Sequence, residues 1–524
     1  MRTRNAASLL LLVPASALAA GPALTIDAAA DRHPISPYIY GMAYADPTLA
    51  KEIRLSLNRW GGDATTRYNW KVDGSNSGDD WFFMAGGKDH PTPSGEPDAW
   101  VNAAKAYGGQ VMLTIPIIDY VNKATAIDCT FPVSIFGPQQ KVNPYVHPVV
   151  NGKATDAGNG RKPDGTVIQP TKDQLLRVHI PNTPSLQKGW VKHLVERFGN
   201  GGVPIYEMDN EPDGWNNTHR DIHPGATGHS ELVNKTQIYA KAVKAADPQA
   251  AVLGPGGFLL HYQNDGAPGD GKAEHGGLGQ ASFYLKEMAA YEKSHGKRLL
   301  DYFDEHYYPL GQDGQTDATV LESTRSLWDP TYVEKDWYGQ YNGAINLIPS
   351  FKKWVAESYP GTKISISEYG WGDMKTPLGA LAETDVLGIF GREGLDLACL
   401  FGPPKADEEG ANAFRLYRNY NGKGGAFGET SVRSVSGDQG TVAVYGAERK
   451  SDGALTVMVV NKSTAPQSCR LKLLHFSPAS KASVFRYDGN NRVAALPDQT
   501  VGANGFTATF PARSATLVVV KKRV

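Results

Sequence analysis

The 524-residue chain is poor in cysteine, carrying only Cys129, Cys399 and Cys469. Three widely spaced cysteines make no disulfide framework, and an odd number leaves at least one thiol free within a monomer. No C-x-x-C pair or Cys/His spacing suits zinc. Cys399 lies in an apolar run and reads as a small core residue. An excess of charge is missing too: 53 basic residues face 54 acidic ones, for a net charge of −1. With no Lys/Arg-rich stripe, nucleic acid is excluded as a partner and a neutral substrate is favoured. Neither a phosphate-cradling glycine loop nor a dinucleotide fingerprint occurs in the right context, so no nucleotide or redox cofactor is expected. Long hydrophobic runs are absent. Leu9 to Val13 is far short of the roughly 20 apolar residues that span a bilayer. Flanked by Arg2 and Arg4 and by Ala17-Leu18-Ala19, it reads as the centre of an export signal over residues 1–20. The expectation is a soluble monomer, secreted or periplasmic, with no membrane partner.

What is present is a globular composition, 41% hydrophobic and 20% charged, on a chain too long for one ordinary core. Over residues 36–427, short β-prone runs alternate with stretches of helical period, the pattern of a parallel α/β fold. The strand candidates are 38–43, 53–59, 110–117, 204–210, 251–255, 301–308, 363–368 and 395–401. Helices are expected over 184–198, opened by Pro184 and stopped by Gly199, and over 230–246, closed by Pro248. Eight such units predict a (β/α)8 barrel with enlarged loops. Over 428–524 the period changes to two, in runs such as 441–445, 455–460, 470–474, 482–487, 506–510 and 515–520, predicting a C-terminal antiparallel β-sandwich domain. Residues 21–35 are expected to add a strand to it.

In a barrel of this kind the C-terminal ends of the strands face the active site. Two glutamates stand there in unusual surroundings: Glu211 in 208–212 (MDNEP), closing strand four, and Glu368 in 367–370 (SEYG), closing strand seven. Strands four and seven face each other across the mouth. Cleavage of a glycosidic bond with retention needs two carboxyl groups about 5–5.5 Å apart, one protonated and one ionised. Asn210 is placed to bond a sugar 2-hydroxyl, and Arg59, in 58–62 (NRWGG), to hold the ionised partner. His306, Tyr307 and Tyr308 close strand six, and one of them is expected at the nucleophile or the adjacent sugar. Asp209 is expected to point into the barrel wall. Sugar rings stack on flat aromatics. Candidates crowd the loops on this face: Trp60, Tyr68, Trp70, Trp81, Phe82, Phe83, Trp215, Trp328, Trp337 and Trp371, of which a third to a half are expected to line an open groove.

With these residues in view, the sequence resembles glycoside hydrolase family 44, endo-acting β-1,4-glucanases that also take xyloglucan. The resemblance is carried in order by 35–41 (ISPYIYG), 59–70 (RWGGDATTRYNW), 208–212 (MDNEP), 367–370 (SEYG), 384–394 (TDVLGIFGREG) and 417–431 (YRNYNGKGGAFGETS). It implies a barrel with a sandwich built from both termini, a retaining mechanism, Glu211 as acid/base and Glu368 as nucleophile, and a β-glucan substrate. The resemblance also allows a structural calcium, for which Asp79-Asp80 offer hard oxygens; solvated loop charge is the other reading. The chain departs from the pattern at Phe401, where a Trp is expected to close strand eight, at Asp63 in place of Asn, and over 371–378 (WGDMKTPL). The Pro-, Gly- and Asn-rich loop from Tyr120 to Asn182 is expected to reshape one wall of the cleft. The alternatives are another barrel glycosidase, such as a xylanase or arabinofuranosidase, and a non-catalytic carbohydrate-binding protein on the same fold.

Overall fold

The eight runs read as strands pair in parallel and in chain order. They are Gly41–Ala43, Leu57–Trp60, Gln110–Ile115, Ile205–Met208, Ala251–Phe258, Tyr302–His306, Lys363–Tyr369 and Leu397–Leu400, and the eighth closes on the first where Cys399 faces Gly41. They are called barrel strands one to eight below. The computed structural model describes residues 20–87, 92–123, 128–144, 156–258, 266–309, 316–335, 339–340, 343–489 and 492–523. Residues 1–19 of the expected export signal, Trp337 and parts of the 120–182 loop lie outside them.

Local chemistry explains the helices around the barrel. In Pro184–Phe198 the Thr183 hydroxyl accepts from the Leu186 N–H at 3.1 Å, Pro184 occupies the first turn, and Gly199 ends the helix. Its buried residues include Trp190, Val191 and Leu194, the stripe that the helical period marks. The helix His229–Ala246 lies between barrel strands four and five and starts at Gly228 without a side-chain cap. Among the described residues, no helix is long and apolar enough to cross a membrane. All three cysteines are buried and unpaired.

Inside the barrel, alternation along each strand builds layers. Leu57, Met112, Ile205, Leu253, Tyr302, Leu397 and Cys399 form one buried apolar cluster. Two residues further along, the same faces carry Arg59, Thr114, Glu207 and Asp304, all buried. An apolar floor therefore supports a polar layer, and the mouth opens above it.

The second region is a ten-stranded sheet. Leu24–Asp27 lies inside it, antiparallel to Thr430–Ser436 and parallel to Gln467–Leu474, which ties the two ends of the chain together. The strands Thr430–Ser436 and Ala494–Thr500 carry too few apolar residues to be read from sequence; the latter lies largely exposed and contains Pro497. Period-two alternation here serves two cores. Val442, Val444, Leu455, Val457, Val459, Val518 and Val520 fill the core of this domain. Their neighbours Ala443, Tyr445, Met458, Val460, Leu517 and Val519 pack into the barrel's cluster. The helix Pro377–Glu393 is sandwiched between and buried from Gly379 to Gly391. It approaches so closely that a β-carbon on Gly388 would stand 2.3 Å from the Tyr445 ring.

This helix also buries Glu383, whose Oε1 accepts from the Tyr369 hydroxyl at 2.8 Å. Burial pushes the carboxyl up to about 8, with the tyrosine bond acting in the opposite direction. The folded chain then keeps this proton over a range where the unfolded chain has lost it. Stability falls as pH rises from the usual carboxylate range to about 8. Glu383→Gln is expected to remove that loss. Its thermal midpoint should rise relative to wild type near pH 8, by up to a few kcal/mol in stability (~1.4 kcal/mol per pH unit), and change little near pH 4. Parallel melting curves at the two pH values check this.

Candidate active site

Arg59 is the hub of the barrel mouth. Its side chain folds back over Gly61, where a β-carbon would stand 2.5 Å from Cζ, so the N-R-W-G-G turn needs glycine there. Nε and Nη2 donate to the two oxygens of Glu207, each at 3.0 Å, Nη1 donates to Glu368 Oε2 at 2.6 Å, and Nη2 also donates to Asn210 Oδ1 at 2.8 Å. The planar guanidinium thereby fixes three side chains from strands four and seven in one geometry. Glu207 also accepts from Thr114 Oγ1 at 2.7 Å and Ser367 Oγ at 2.9 Å. Burial works against the Glu207 charge, but Arg59 and His306 outweigh it and hold the carboxyl down at about 2.

Glu368 reaches the mouth because strand seven shifts register between Ile366 and Tyr369. Ser367 and Glu368 can then both address the barrel axis. Beside Arg59, the second donor to Glu368 is Tyr308, whose hydroxyl lies 2.8 Å from Oε1. Burial and the Glu368 charge keep that phenol protonated well above its ordinary range, so it remains a donor. Glu211 has a left-handed backbone, φ +43°, followed by the short turn Pro212–Gly214, and its N–H donates to Gly256 O at 2.8 Å. Its Oε1 lies 2.9 Å from His306 Nδ1. Ligand atoms of Glu211, His306 and Glu368 lie within 4.8 Å of one another. Burial alone would favour neutral imidazole, but Glu368, Glu207 and Glu211 outweigh it and hold His306 well above the usual histidine range.

Arg59, Asn210, Glu211, His306, Tyr308 and Glu368 are thus brought together. Asp209 is fully buried in the wall, its Oδ2 accepting from the Ile117 and Ile118 N–H groups. Phe401 is 40% exposed beside a cavity of about 530 Å³ that also touches Tyr308, Gly370, Asp317, Asp373 and Leu378. The departures at Phe401 and over 371–378 therefore meet in one space.

Among the aromatics named as sugar platforms, Tyr68, Phe83 and Trp215 are buried, and three more do not serve as such. Trp60 is buried against Tyr68 and Trp190, with its N–H on Glu96. Trp371 is fully buried and donates to Ser323. Trp328 lies under Arg392, at the end of the helix Pro377–Glu393 remote from the mouth. Each was read from its place in a loop, and packing turned each inward. Sequence reasoning also passed over Glu207, though a charged residue inside an apolar strand must find a partner. Tyr44, 40% exposed and bonded to Gly61 O, is a further aromatic at the end of strand one that was missed. For the calcium reading, Asp79 is already engaged by Arg220 at 2.7 Å. With a guanidinium bound to one of its two carboxylates, Asp79-Asp80 does not fit a hard-oxygen cage.

Paired carboxyl groups facing each other across a (β/α)8 mouth are the machinery of glycosidic bond hydrolysis, and the comparisons with known proteins agree that this is a glycoside hydrolase. The sequence profile of glycoside hydrolase family 44 matches residues 74–311. A bifunctional glucanase-xylanase from a metagenome library is 33% identical, with a TM-score of 0.89 over 96% of this chain and 99% of that one. A family 44 xyloglucanase from Paenibacillus polymyxa, solved with xyloglucan, is 27% identical with a TM-score of 0.80, covering 96% of this chain and all of that one (100%). Endoglucanase A of Paenibacillus lautus is 29% identical over 98% of this chain and 75% of its own length. The chain belongs to glycoside hydrolase family 44.

Proposed function

We propose that the enzyme cleaves β-1,4-glucans, of the cellulose or xyloglucan type, within the chain and with retention, using Glu211 as acid/base and Glu368 as nucleophile. The observation that carries this reading is the asymmetry of the pair. Glu368 is gripped by two donors, Arg59 and Tyr308, as suits an attacking anion, whereas Glu211 is more exposed and bonded to His306 alone of the titratable groups. Their closeness, with an oxygen of each within 4.8 Å of the other, supports retention, which needs the two carboxyl groups nearer together than inversion does. In the first step a Glu368 oxygen bonds to C1, the C1–O bond breaks, and the Glu211 proton passes to the departing oxygen. In the second step water attacks C1 and gives its proton to Glu211 while the Glu368 ester bond breaks. His306 stabilises the Glu211 carboxylate between the two steps, and Asn210 holds the 2-hydroxyl.

The endoglucanase, glucanase-xylanase and xyloglucanase activities named for the relatives support a β-glucan. A polymer that cannot enter a cell supports export of the enzyme by way of residues 1–20. Reducing-end release from carboxymethylcellulose, xyloglucan, mixed-linkage glucan and xylan tests the substrate class. Release from a β-1,4-glucan is expected, and silence on all four would sink the reading. Phe401→Ala should raise KM roughly three- to tenfold, the loss of one aromatic stacking contact, with kcat changed less.

A further inference from the structure

In a regular strand Ser367 and Glu368 would face opposite sides, so Glu368 reaches the mouth only through the irregularity of strand seven. The same irregularity shows against strand six. Asp304 pairs with Ser365 and Tyr307 with Tyr369, three steps along one strand against four along the other. The extra residue takes the backbone out of the regular ladder, and a buried N–H left there needs another partner. Asp304 supplies it. Its Oδ1 accepts from the Ser367 N–H at 2.8 Å, and its Oδ2 lies 2.5 Å from Ser367 Oγ. On the other side of the bulge, Glu368 O accepts from the Tyr307 N–H at 3.0 Å. Ser367 Oγ also lies 2.9 Å from Glu207 Oε1. One hydroxyl has one proton and cannot donate to two carboxylates, so one of the two is protonated. Glu207 accepts both Arg59 bonds and one from Thr114, which keep it ionised. Asp304 is therefore the acid, its Oδ1 accepting from the N–H and its Oδ2–H donating to Oγ. Burial and the Glu207 charge raise its carboxyl above the usual range, against the opposing charge of His306. Asp304 and Ser367 are fully buried, so neither touches a sugar.

We propose that Asp304 is a positioning residue for the nucleophile: by clasping the N–H and hydroxyl of Ser367 it fixes the bulge of strand seven and aims Glu368 at C1. The proposal rests on the glycosidase reading above, in which Glu368 attacks C1. Without the clasp the Ser367 N–H is orphaned in the core. The bulge then relaxes towards a regular strand, and Glu368 turns away from Arg59 and Tyr308. Misplacing a reacting group by about 1 Å costs on the order of 100-fold in rate. An amide reproduces the clasp without a proton to lose. At position 304 an asparagine accepts from the N–H through Oδ1 and donates to Oγ through Nδ2.

The test measures kcat and KM for wild type, Asp304→Ala, Asp304→Asn and Ser367→Ala on an aryl glycoside of a β-1,4-glucan oligosaccharide. Asp304→Ala should lower kcat on the order of 100-fold, with KM changed by less than about threefold. Asp304→Asn should recover most of that loss. Ser367→Ala keeps the N–H bond and gives up the hydroxyl, and should cost about five- to tenfold. A general loss of structure could lower kcat too, so the same substitutions are repeated in Glu368→Ala supplied with azide. There the nucleophile no longer comes from strand seven, and Asp304→Ala should change the azide-dependent rate by less than about threefold. An equal loss in both backgrounds, or Asp304→Asn as slow as Asp304→Ala, would overturn the proposal. Ser367→Ala, carried through the same two backgrounds, decides the matter if Asp304→Ala does not fold. Crystal structures of wild type and Ser367→Ala or Asp304→Ala read the claim without turnover. Glu368 should leave Arg59 and Tyr308 in the variants, and an unmoved Glu368 refutes the clasp. If wild type cleaves no glucan, the glycosidase reading fails while the crystal structures still decide whether Asp304 sets Glu368.

Discussion

Glu368→Gln and Glu211→Gln are each expected to lower glucan hydrolysis by on the order of 10³- to 10⁴-fold, with the fold intact by circular dichroism. Both residues lie at the mouth on the C-terminal ends of their strands, so the losses report chemistry and not collapse. Glu368→Gln keeps an acceptor for Tyr308 and meets Arg59 without a charge. It cannot attack C1. Azide separates the two roles on an aryl glycoside with a good leaving group. In Glu368→Ala the small anion takes the space of the carboxylate and attacks C1 directly, giving a glycosyl azide of inverted configuration. In Glu211→Ala the glycosyl-enzyme still forms and azide intercepts it, giving the retained product. Exchanged products would reverse the assignment, and near-wild-type activity in Glu368→Ala would remove it.

The second large effect concerns the joint between the barrel and the sheet domain. Asp385, fully buried on the helix Pro377–Glu393, accepts from Lys462 Nζ at 2.8 Å, from the Tyr445 hydroxyl at 2.6 Å and from Thr324 Oγ1 at 2.7 Å. Lys462 and Tyr445 belong to the sheet side of the joint and Thr324 to the barrel side. Asp385→Ala strands a buried ammonium and two hydroxyls, and breaking such a pair costs about 3–5 kcal/mol. A large fall in thermal midpoint is expected, with activity at low temperature spared because the partners of Asp385 are Thr324, Tyr445 and Lys462 and not the groups that hold Glu211 or Glu368. Lys462→Met should cost less, since two hydroxyl donors still serve Asp385. Adding it to Asp385→Ala should recover part of the loss. Melting curves followed by tryptophan fluorescence read all three variants. An unchanged midpoint in Asp385→Ala would mean that the two regions unfold without this joint.

Much of the architecture was legible because it follows from period. All eight barrel strands are marked by apolar runs, and the helix 184–198 by its helical period, its proline and its terminal glycine. The polar sheet strand Thr430–Ser436 and the exposed edge strand Ala494–Thr500 were not legible, because neither buries enough apolar surface to pattern its sequence. The candidate catalytic glutamates stood out through a rule of position, strand ends in a barrel, applied to N-E-P and S-E-Y. The aromatics did not obey so simple a rule. Trp60 and Trp371 sit next to site residues in the chain, yet their side chains turn into the core. Phe401, Trp81 and Tyr44 stay exposed.

The amino-acid sequence by itself determined the parallel barrel, the second β domain and the identity of two acidic strand ends, since all three depend on local period and on residue type at a turn. Only the tertiary structure decided what holds those acids. Arg59, Tyr308 and His306, from the ends of strands two and six, stand 2.6, 2.8 and 3.8 Å from Glu368 of strand seven, and Glu207 and Asn210 of strand four are tied to it through Arg59. The physical reason is that hydrogen bonds and buried charges act over a few ångströms in space. The separation of 309 positions between Arg59 and Glu368 hides a contact that closure of the barrel makes unavoidable.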